Sequence, residues 1–282
     1  MSEVSPMVSV DWLAQRLGDP ELLLIDIRST VDGGGETAYL QAHVPGAVHT
    51  DYAKHGWRAT KGMASGLLPD AGFLATLFGS LGLASSRHAI IISAGTSAGD
   101  FSAAARAYWT LKVAGHDKVS LLEGGMAAWQ GRPVETGRHA TTPAAAYPVK
   151  LRDDLRCDVE ATQAAIADGE VILDSRSEGY FVGREKSPQA KRAGRLPTSL
   201  HLDHTRVFDP ATKRLKSVPE LAGLFSALPE KTIVNFCNTG HQAATNWFVL
   251  SEILHRPAKL YDGSMSEWTE DPAREVATGP AE

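Results

Sequence analysis

The sequence predicts an α/β fold that occurs twice in tandem, each copy forming a parallel β-sheet with helices on both faces. Four blocks of the first half return in the same order in the second half: residues 24–28 as 172–176, 43–51 as 195–203, 89–93 as 232–236, and 122–129 as 261–268. Ordered matches of this kind indicate a tandem duplication. Within each copy, short apolar runs alternate with segments of helical period, which is typical of a parallel sheet covered on both faces.

The predicted strands and helices follow the hydrophobic pattern along the chain. Short apolar runs predict buried parallel strands at 22–27, 90–93 and 119–122, and at their partners in the second copy. Helical periodicity predicts helices over 101–114 and 243–254. The glycines at 33–35 predict a flexible loop and not a phosphate cradle, because no G-x-G-x-x-G or P-loop pattern follows them.

Length and composition predict two domains joined by a linker. At roughly 100–200 residues per domain, 282 residues correspond to two domains, and 43% hydrophobic residues give each enough apolar material for a core. The segment 138–147 is rich in Thr, Ala and Pro and lacks periodicity, which indicates a linker. We therefore predict a first domain at 1–137, the linker at 138–147 and a second domain at 148–282.

Charge and composition exclude several classes of protein. The 28 Lys and Arg against 33 Asp and Glu leave a net charge of −5, so the chain has no global basic field for nucleic acid or an anionic membrane surface. No apolar run approaches the ~18 residues of a membrane span, and residues 1–10 lack a signal pattern. The two cysteines exclude a disulfide framework. We expect a soluble, cytoplasmic, monomeric protein.

The two copies differ where the central strand ends, which is where ligands bind in open parallel sheets. In the second copy Cys237 follows the strand and opens a short loop into a helix, whereas residues 92–100 of the first copy contain no cysteine. Consecutive N–H groups of such a loop, with the helix N-terminus, form an anion-binding concavity that stabilises a thiolate. Gly240 permits the backbone torsions that the loop needs. From this placement alone, Cys237 is either a nucleophile or a buried core thiol.

The motifs of the chain resemble those of two-domain rhodanese-type sulfurtransferases, the family that includes thiosulfate and 3-mercaptopyruvate sulfurtransferases. The resemblance covers about residues 8–276 and is carried by Asp-x-Arg at 26–28 and 174–176, His-Val-Pro-Gly-Ala at 43–47, Tyr-Asp-Gly-Ser-Met-Ser-Glu-Trp at 261–268, and Cys-x-x-Gly-x-x-Ala at 237–243. The last motif is the most specific. The resemblance implies a catalytically silent first domain and a second domain with Cys237 as its nucleophile.

The family's chemistry implies a two-step transfer through Cys237. Its thiolate attacks the sulfane sulfur of thiosulfate or 3-mercaptopyruvate and keeps that sulfur as a persulfide, which cyanide or a thiol then removes. The resemblance implies that the persulfide is bound by the loop residues Asn238, Thr239, Gly240, His241, Gln242 and Ala243. It implies no metal or organic cofactor, and the ten histidines show no ligand spacing.

The residues that would bind the donor match neither branch of the family in full. Asn238 and Thr239 carry no charge and are nearer to the mercaptopyruvate type, in which the Thr239 hydroxyl could give a proton to the product. The family's substrate-binding arginine falls on Tyr180 here. Arg184 is our first choice to replace its charge, unless 184–192 is a solvated loop. The preferred donor stays open.

Several other residues have a structural interpretation beside a functional one. His241 could tune the thiolate or point at solvent. Asp174 and Arg176 are expected to form a mainly structural ion pair at a strand end. A histidine in a turn such as His43 more often caps the turn than takes part in catalysis, and Cys157 is expected to be a helix-start or packing residue.

Two alternative functions compete with turnover of a small sulfur donor. A phosphatase of related fold needs a loop one residue longer, closed by an arginine that binds phosphate oxygens bidentately, and no arginine follows Cys237 before Arg256. The other alternative is a non-turnover persulfide carrier or a protein-interaction module of the same fold. The expected partners are a small sulfur donor and a thiol or cyanide acceptor, and neither nucleic acid nor membrane.

Overall fold

The computed structural model of the protein describes residues 4–30, 32 and 34–280. Contacts within the chain divide it into two compact units. The first comprises the residues up to Trp57, Pro69–Arg152 and Thr212–Arg214, and the second comprises Arg58–Leu68, Asp153–Ala211 and the residues from Leu215 onward. One short segment of each half of the sequence thus belongs to the unit built mainly from the other half. The domain boundaries drawn from the sequence, 1–137, 138–147 and 148–282, stay a prediction.

The strands and helices alternate along most of the chain. The strands are β1 Met7–Val8, β2 Leu22–Asp26, β3 Val48–His49, β4 Ala59–Lys61, β5 Ala64–Leu67, β6 His88–Ile92, β7 Val119–Leu122, β8 Arg156–Cys157, β9 Val171–Asp174, β10 Leu200–His201, β11 Phe208–Asp209, β12 Arg214–Leu215, β13 Ile233–Phe236 and β14 Ala258–Tyr261. The α-helices are α1 Val10–Ala14, α2 Gly35–Gln41, α3 Ala71–Ser80, α4 Ala98–Val113, α5 Gly125–Ala128, α6 Val159–Ala167, α7 Glu178–Phe181, α8 Val218–Phe225, α9 Ala243–Phe248 and α10 Ser264–Trp268. A 3-10 helix spans His204–Val207, and a π-helix at Val249–Ile253 continues α9. None of the helices in the described part of the chain has the length and apolar character that crossing a membrane requires.

Each unit contains one five-stranded sheet whose strands all run parallel. The order is β1-β7-β6-β2-β3 in the first unit and β8-β14-β13-β9-β10 in the second, so each strand occupies the place of its duplicate. Every residue is buried in β13, the central strand of the second sheet, and in β2, which lies beside the central strand of the first, as expected for interior strands with both faces covered. The predicted α/β fold and its duplication are confirmed.

The hydrophobic core follows the sheets. In the first unit Leu24 and Ile90 lie in one buried cluster with Trp129. In the second unit Val234 lies in the equivalent cluster with Trp268. These tryptophans are duplicates of one another at the ends of the matched blocks, and each packs in the buried cluster of its own unit.

The strand register corrects the alignment of the two copies by one residue. The equivalent pairs are Asp26 with Ile92 in the first sheet and Asp174 with Phe236 in the second. The counterpart of Cys237 is therefore Ser93, so matching 89–93 with 232–236 is wrong by one residue. The two runs are mainly apolar, their polar residues being Ser93, Thr232 and Asn235, and every residue but Thr232 is buried. Because they do not alternate between an apolar and a polar face, nothing in them fixes a register.

Some predicted element boundaries also shift. The helix predicted at 101–114 is α4, which begins three residues earlier at Ala98. The helix predicted at 243–254 is α-helical only to Phe248 and then continues as the π-helix. Of the loop predicted at 33–35, Gly33 lies outside the described residues, and Gly35 already begins α2.

The predicted linker 138–147 contains neither helix nor strand, and all of its residues are described. Its second part packs on α3, because the N–H groups of Ala144 and Tyr147 donate to the carbonyls of Gly79 and Ala75, each at 2.9 Å. Tyr147 is buried, and its hydroxyl lies 2.9 Å from Nδ1 of His116. The end of the predicted linker is therefore an integral part of the first unit.

Candidate active site

Cys237 lies directly after β13, the central strand of the second sheet, and is 1% exposed. The strand is fully buried up to Phe236 and apolar except for Asn235, and the loop from Cys237 to Gln242 then leads into α9. Gly240 has a φ of +66°, in the left-handed region that glycine adopts without a steric cost. This glycine lets the chain turn back within a few residues, so the loop closes over the strand end.

Helix α10 fixes the orientation of the first two peptide groups of the loop. The N–H groups of Met265 and Ser266 donate to the carbonyls of Cys237 and Asn238 at 3.1 and 2.9 Å. In a trans peptide the C=O and the following N–H point in opposite directions, and the chain contains no cis peptide among its described residues. The N–H groups of Asn238 and Thr239 therefore point away from α10.

Ser264, the first residue of α10, joins both ends of the loop. Its Oγ accepts the N–H groups of Cys237 and Gly240, each at 3.0 Å, and donates to the carbonyl of Tyr261 at 2.8 Å. The side chain is fully buried, and its φ of +51° is unusual for a residue with a side chain. Ser264 is a site residue that no motif of the sequence predicted. The signal was the replacement of Gly125 by Ser264 between two positions that are identical in the two copies, a glycine before it and a methionine after it.

Four N–H groups of the loop and helix start have no protein acceptor in the part of the chain that the structure describes. They belong to Asn238, Thr239, Gln242 and Ala243. Unpaired main-chain donors are rare when they are shielded from water. A cluster of them next to a thiol is suited to a negatively charged sulfur or oxygen atom, which could accept several hydrogen bonds at once.

Arg176 connects a buried ion pair to this loop. Its guanidinium binds the Asp174 carboxylate through Nε and Nη2, the closest contact being 2.6 Å, and the two side chains are 2% and 0% exposed. The predicted ion pair is confirmed. Nη2 also donates to the carbonyl of Gly194 at 2.8 Å, and Nη1 donates to Oδ1 of Asn238 at 3.3 Å. The pair thus holds a side chain of the cysteine loop as well as its own strand end.

Tyr180 and Arg184, the predicted donor-binding residues, lie in and after α7. The Tyr180 ring is half-buried, with its centroid 5.8 Å from the guanidinium carbon of Arg176. Arg184 is exposed and pairs with the equally exposed Glu178 at 3.2 Å. Such a pair at the surface contributes little to stability, so Arg184 can exchange its partner at low cost. Both assignments stay predictions.

The rest of the segment 184–192 is held in place more firmly than a solvated loop. The Nζ of Lys186 donates to the carbonyl of Ala190 at 2.8 Å, and Arg192 donates to the carbonyl of Asp271 at 2.8 Å. Ser187 and Ala190 are buried. Arg184 differs from Lys186 and Arg192 because its side chain binds an exposed carboxylate and theirs bind main-chain carbonyls.

The first unit has an equivalent loop, and there a side chain satisfies the donors. The Asp100 carboxylate accepts the N–H groups of Ala94, Gly95 and Thr96 at 3.0, 2.5 and 3.2 Å, and the hydroxyl of Ser93 at 3.1 Å. Burial raises the pKa of Asp100, and these hydrogen bonds act in the opposite direction. The place of the Cys237 thiol is thus taken by the Ser93 hydroxyl, and a carboxylate in the first turn of α4 accepts the N–H groups of the loop.

Replacing Asp100 with alanine is expected to destabilise the first unit by about 1–3 kcal/mol, because the mutation leaves buried donors without an acceptor. Urea unfolding of D100A and the wild type measures this difference. The chemistry at Cys237 should stay unchanged in D100A. An unfolding free energy equal to that of the wild type would show that water replaces the carboxylate without loss.

The remaining candidates have structural surroundings. Cys157 lies on β8 in a core cluster, 3% exposed, and burial raises its pKa to about 11. Cys157 is therefore a packing residue. It does not start the helix, which begins at Val159 after the N-cap Asp158. His43 is fully buried and stacks on Tyr39, whose carbonyl lies 2.8 Å from its Nδ1.

Two further observations concern alternative chemistry. Arg256 donates to the carbonyls of Phe225 and Leu228 at 2.9 and 3.1 Å, so it is engaged away from the cysteine loop. Among the residues that the structure describes, no group of three or more His, Cys, Asp or Glu side chains could hold a metal ion.

Thr239 and His241, the other two loop residues with a predicted role, are half-buried in the loop.

Comparison with known proteins agrees with this geometry. A Rhodanese-like domain matches residues 9–132 and 158–271. A thiosulfate sulfurtransferase of Pseudomonas aeruginosa is 29% identical and covers 96% of each chain, and a probable 3-mercaptopyruvate sulfurtransferase of the same organism is 32% identical over 97% of this chain and 98% of that protein. The crystal structure of SseA from Escherichia coli, described with 3-mercaptopyruvate sulfotransferases, is 28% identical with a TM-score of 0.75 over 94% of this chain and 100% of that one. The chain, matched in both halves, therefore belongs to the rhodanese family and is a sulfurtransferase.

Proposed function

We propose that this sulfurtransferase moves a sulfane sulfur from thiosulfate or 3-mercaptopyruvate to cyanide or a thiol through a persulfide on Cys237. The observation that carries the proposal is the position of Cys237, at the end of the central strand and at the start of a loop whose N–H groups at Asn238 and Thr239 have no acceptor among the described residues. The relatives named for these two donors support the choice of substrate class.

The chemistry consists of two displacements at sulfur. In the first, the Cys237 thiolate forms a bond to the sulfane sulfur, and the donor leaves with the electron pair of the broken bond. In thiosulfate the broken bond joins two sulfur atoms, and the leaving group is sulfite. In 3-mercaptopyruvate the broken bond joins carbon to sulfur, and the leaving group is the enolate of pyruvate. In the second, the acceptor attacks the outer sulfur and Cys237 leaves as a thiolate, so the enzyme returns to its starting state.

The unpaired N–H groups of the loop would stabilise the charged forms of Cys237. A persulfide anion carries its charge on the outer sulfur, where several amide donors can share it. Because α10 holds the carbonyls of Cys237 and Asn238, the amides are oriented before the charge arrives. The Thr239 hydroxyl is proposed to give the enolate of pyruvate its proton, which thiosulfate does not need.

Arg184 and Tyr180 are proposed to meet the acid group of the donor. Both donors are anions, and the loop from Asn238 to Ala243 carries no lysine or arginine. Arg184 is exposed, and Tyr180 lies against the guanidinium of Arg176. The ratio of kcat/KM for the two donors, measured on the same preparation, decides which of them is preferred.

The direct test is the mass of the protein after incubation with each donor. We expect a gain of one sulfur atom, located on the peptide that contains Cys237 and removed by cyanide. If neither donor adds sulfur to the folded protein, or if the sulfur is found on Cys157, the proposed mechanism is wrong.

A persulfide carrier or an interaction module is the alternative function. A carrier would take up one sulfur and pass it to a protein thiol without steady-state turnover of a small acceptor. Continuous release of sulfite or pyruvate in the presence of cyanide or a small thiol separates the two. The cytoplasmic location and the monomeric state also remain predictions, which cell fractionation and sedimentation would test.

Replacing Ser264 with alanine is expected to slow sulfur loading on the order of tenfold or more, because two N–H groups of the loop lose the acceptor that positions them. The unfolding free energy should fall by about 1–3 kcal/mol for the same reason. Single-turnover loading and urea unfolding measure the two effects. Ser199 is a matched control: it is buried in the same unit, and its hydroxyl bonds the carbonyl of Leu196 at 2.7 Å. S199A should load sulfur at the rate of the wild type, and equal loading by S264A would contradict the role of Ser264.

A further inference from the structure

The segment Arg58–Leu68 belongs to the second unit although it lies in the first half of the sequence. Its strands β4 and β5 pair antiparallel and form a hairpin. Three N–H groups of the hairpin donate to the chain around α10: Met63 to Glu270 at 2.8 Å, Ser65 to Oγ of Ser266 at 3.1 Å, and Leu68 to Asp262 at 2.5 Å. The hairpin is therefore fixed to the same helix that holds the cysteine loop.

Gly66 of this hairpin touches the main chain of the cysteine loop. A Cβ built on Gly66 would lie 2.1 Å from the carbonyl oxygen of Thr239 and 2.8 Å from its carbonyl carbon. These are backbone atoms, which cannot move aside as the end of a flexible side chain can. Gly66 also has a φ of +87°, which favours glycine. The close approach therefore requires a glycine at this position.

The peptide group between Thr239 and Gly240 is thus in contact on both sides. Its carbonyl lies against Gly66, and its N–H donates to Oγ of Ser264 at 3.0 Å. The same Oγ accepts the N–H of Cys237 at 3.0 Å. A rotation of this peptide would therefore disturb the hydrogen bond at Cys237 as well as the path of the loop.

We propose that Gly66 is a positioning residue for sulfur transfer, and that its contact keeps the Thr239–Gly240 peptide in the orientation that presents the loop amides to the sulfur. The proposal rests on the proposed persulfide chemistry of Cys237. It assigns a role in the reaction to a residue that lies 171 positions before Cys237 in the sequence. The contact of Gly66 is with the Thr239 backbone, so its effect on the reaction is exerted through the loop.

The test compares Gly66→Ala with Gly62→Ala. Gly62 lies in the turn of the same hairpin with a φ of +62°, but a Cβ there would meet only carboxylate oxygens of Glu270, the nearest at 3.7 Å. Both variants place alanine in the left-handed region, and G66A alone presses on the loop. The measurements are the single-turnover rate of sulfur loading at saturating thiosulfate and 3-mercaptopyruvate, its pH profile, and the urea unfolding curve.

We expect G66A to load sulfur on the order of 10- to 100-fold more slowly than G62A, as a displacement of about 1 Å in a catalytic group can cause. Its pH profile should move to higher pH, because misdirected amides stabilise the attacking thiolate less. A loss of stability alone would change the folded fraction and leave the profile of the folded enzyme unchanged.

The outcomes separate this inference from the proposed function. If the wild type and G62A load sulfur on Cys237 and G66A does so at the same rate and with the same pH profile, the role of Gly66 is wrong and the proposed function stands. If the wild type itself gains no sulfur, the proposed function fails. Should G66A not fold, Ser266→Ala removes the bond between Ser266 and the hairpin without adding atoms. That variant should also load more slowly than the wild type, and equal loading would overturn the proposal.

Discussion

Replacing Cys237 with serine is expected to abolish the gain of sulfur from either donor and to lower turnover on the order of a thousandfold or more. A hydroxyl is a far weaker nucleophile than a thiolate, and no other group can take over a covalent step. The change is nearly isosteric at a position that is 1% exposed, so the unfolding free energy should shift by only about 1 kcal/mol. Intact mass after incubation, steady-state turnover and urea unfolding measure the three quantities.

Cys157 provides the matched control for this experiment. It is the other cysteine of the chain, it is 3% exposed, and burial raises its pKa to about 11, so it holds its proton at neutral pH. C157S should gain sulfur and turn over at the rate of the wild type. Loss of sulfur gain in C157S together with its retention in C237S would reverse the assignment of the nucleophile.

Replacing Arg176 with glutamine is expected to lower the unfolding free energy of the second unit by about 3–5 kcal/mol, since Asp174 is then left buried without its partner. The folded fraction should also load sulfur more slowly, because Asn238 loses the hydrogen bond from Nη1. Urea unfolding gives the first effect, and loading measured at low temperature and corrected for the folded fraction gives the second.

The duplication supplies the control for Arg176. Arg28 binds Asp26 at 2.7 Å and the carbonyl of Ala42 at 2.8 Å, which repeats the arrangement at Arg176 in the first unit. R28Q should destabilise the first unit by a similar amount while the chemistry at Cys237 continues. If R28Q slows loading by the folded enzyme as much as R176Q does, the contact with Asn238 is not the cause.

The sequence was informative wherever a structural feature is local. The Asp-x-Arg pairs could be predicted because the two side chains lie two residues apart at a strand end. The fold could be predicted because strands and helices alternate and the whole pattern repeats. Cys237 could be placed at a strand end because an apolar run precedes it and a glycine-containing loop follows.

Features that depend on distant parts of the chain escaped the same reasoning. The roles of Ser264 and Gly66 arise from contacts with the cysteine loop that no local spacing encodes. The counterpart of Cys237 was misplaced by one residue because strands buried on both faces show no alternation. The change from α- to π-helix after Phe248 leaves the apolar pattern unaltered over so short a length.

The Asp100 carboxylate has a consequence for what the loop of the first unit can bind. A carboxylate of the same chain, here in the helix that follows the loop, is present at a high effective concentration and cannot diffuse away, so a dissolved anion competes with it poorly. A cysteine at position 93 would therefore enter a site that already holds its anion. Sulfur chemistry in the first unit would therefore require two changes, the gain of a thiol at position 93 and the loss of Asp100. In the second unit, by contrast, no side chain of the described residues accepts the N–H groups of Asn238 and Thr239, which leaves that loop open to an exchangeable ligand.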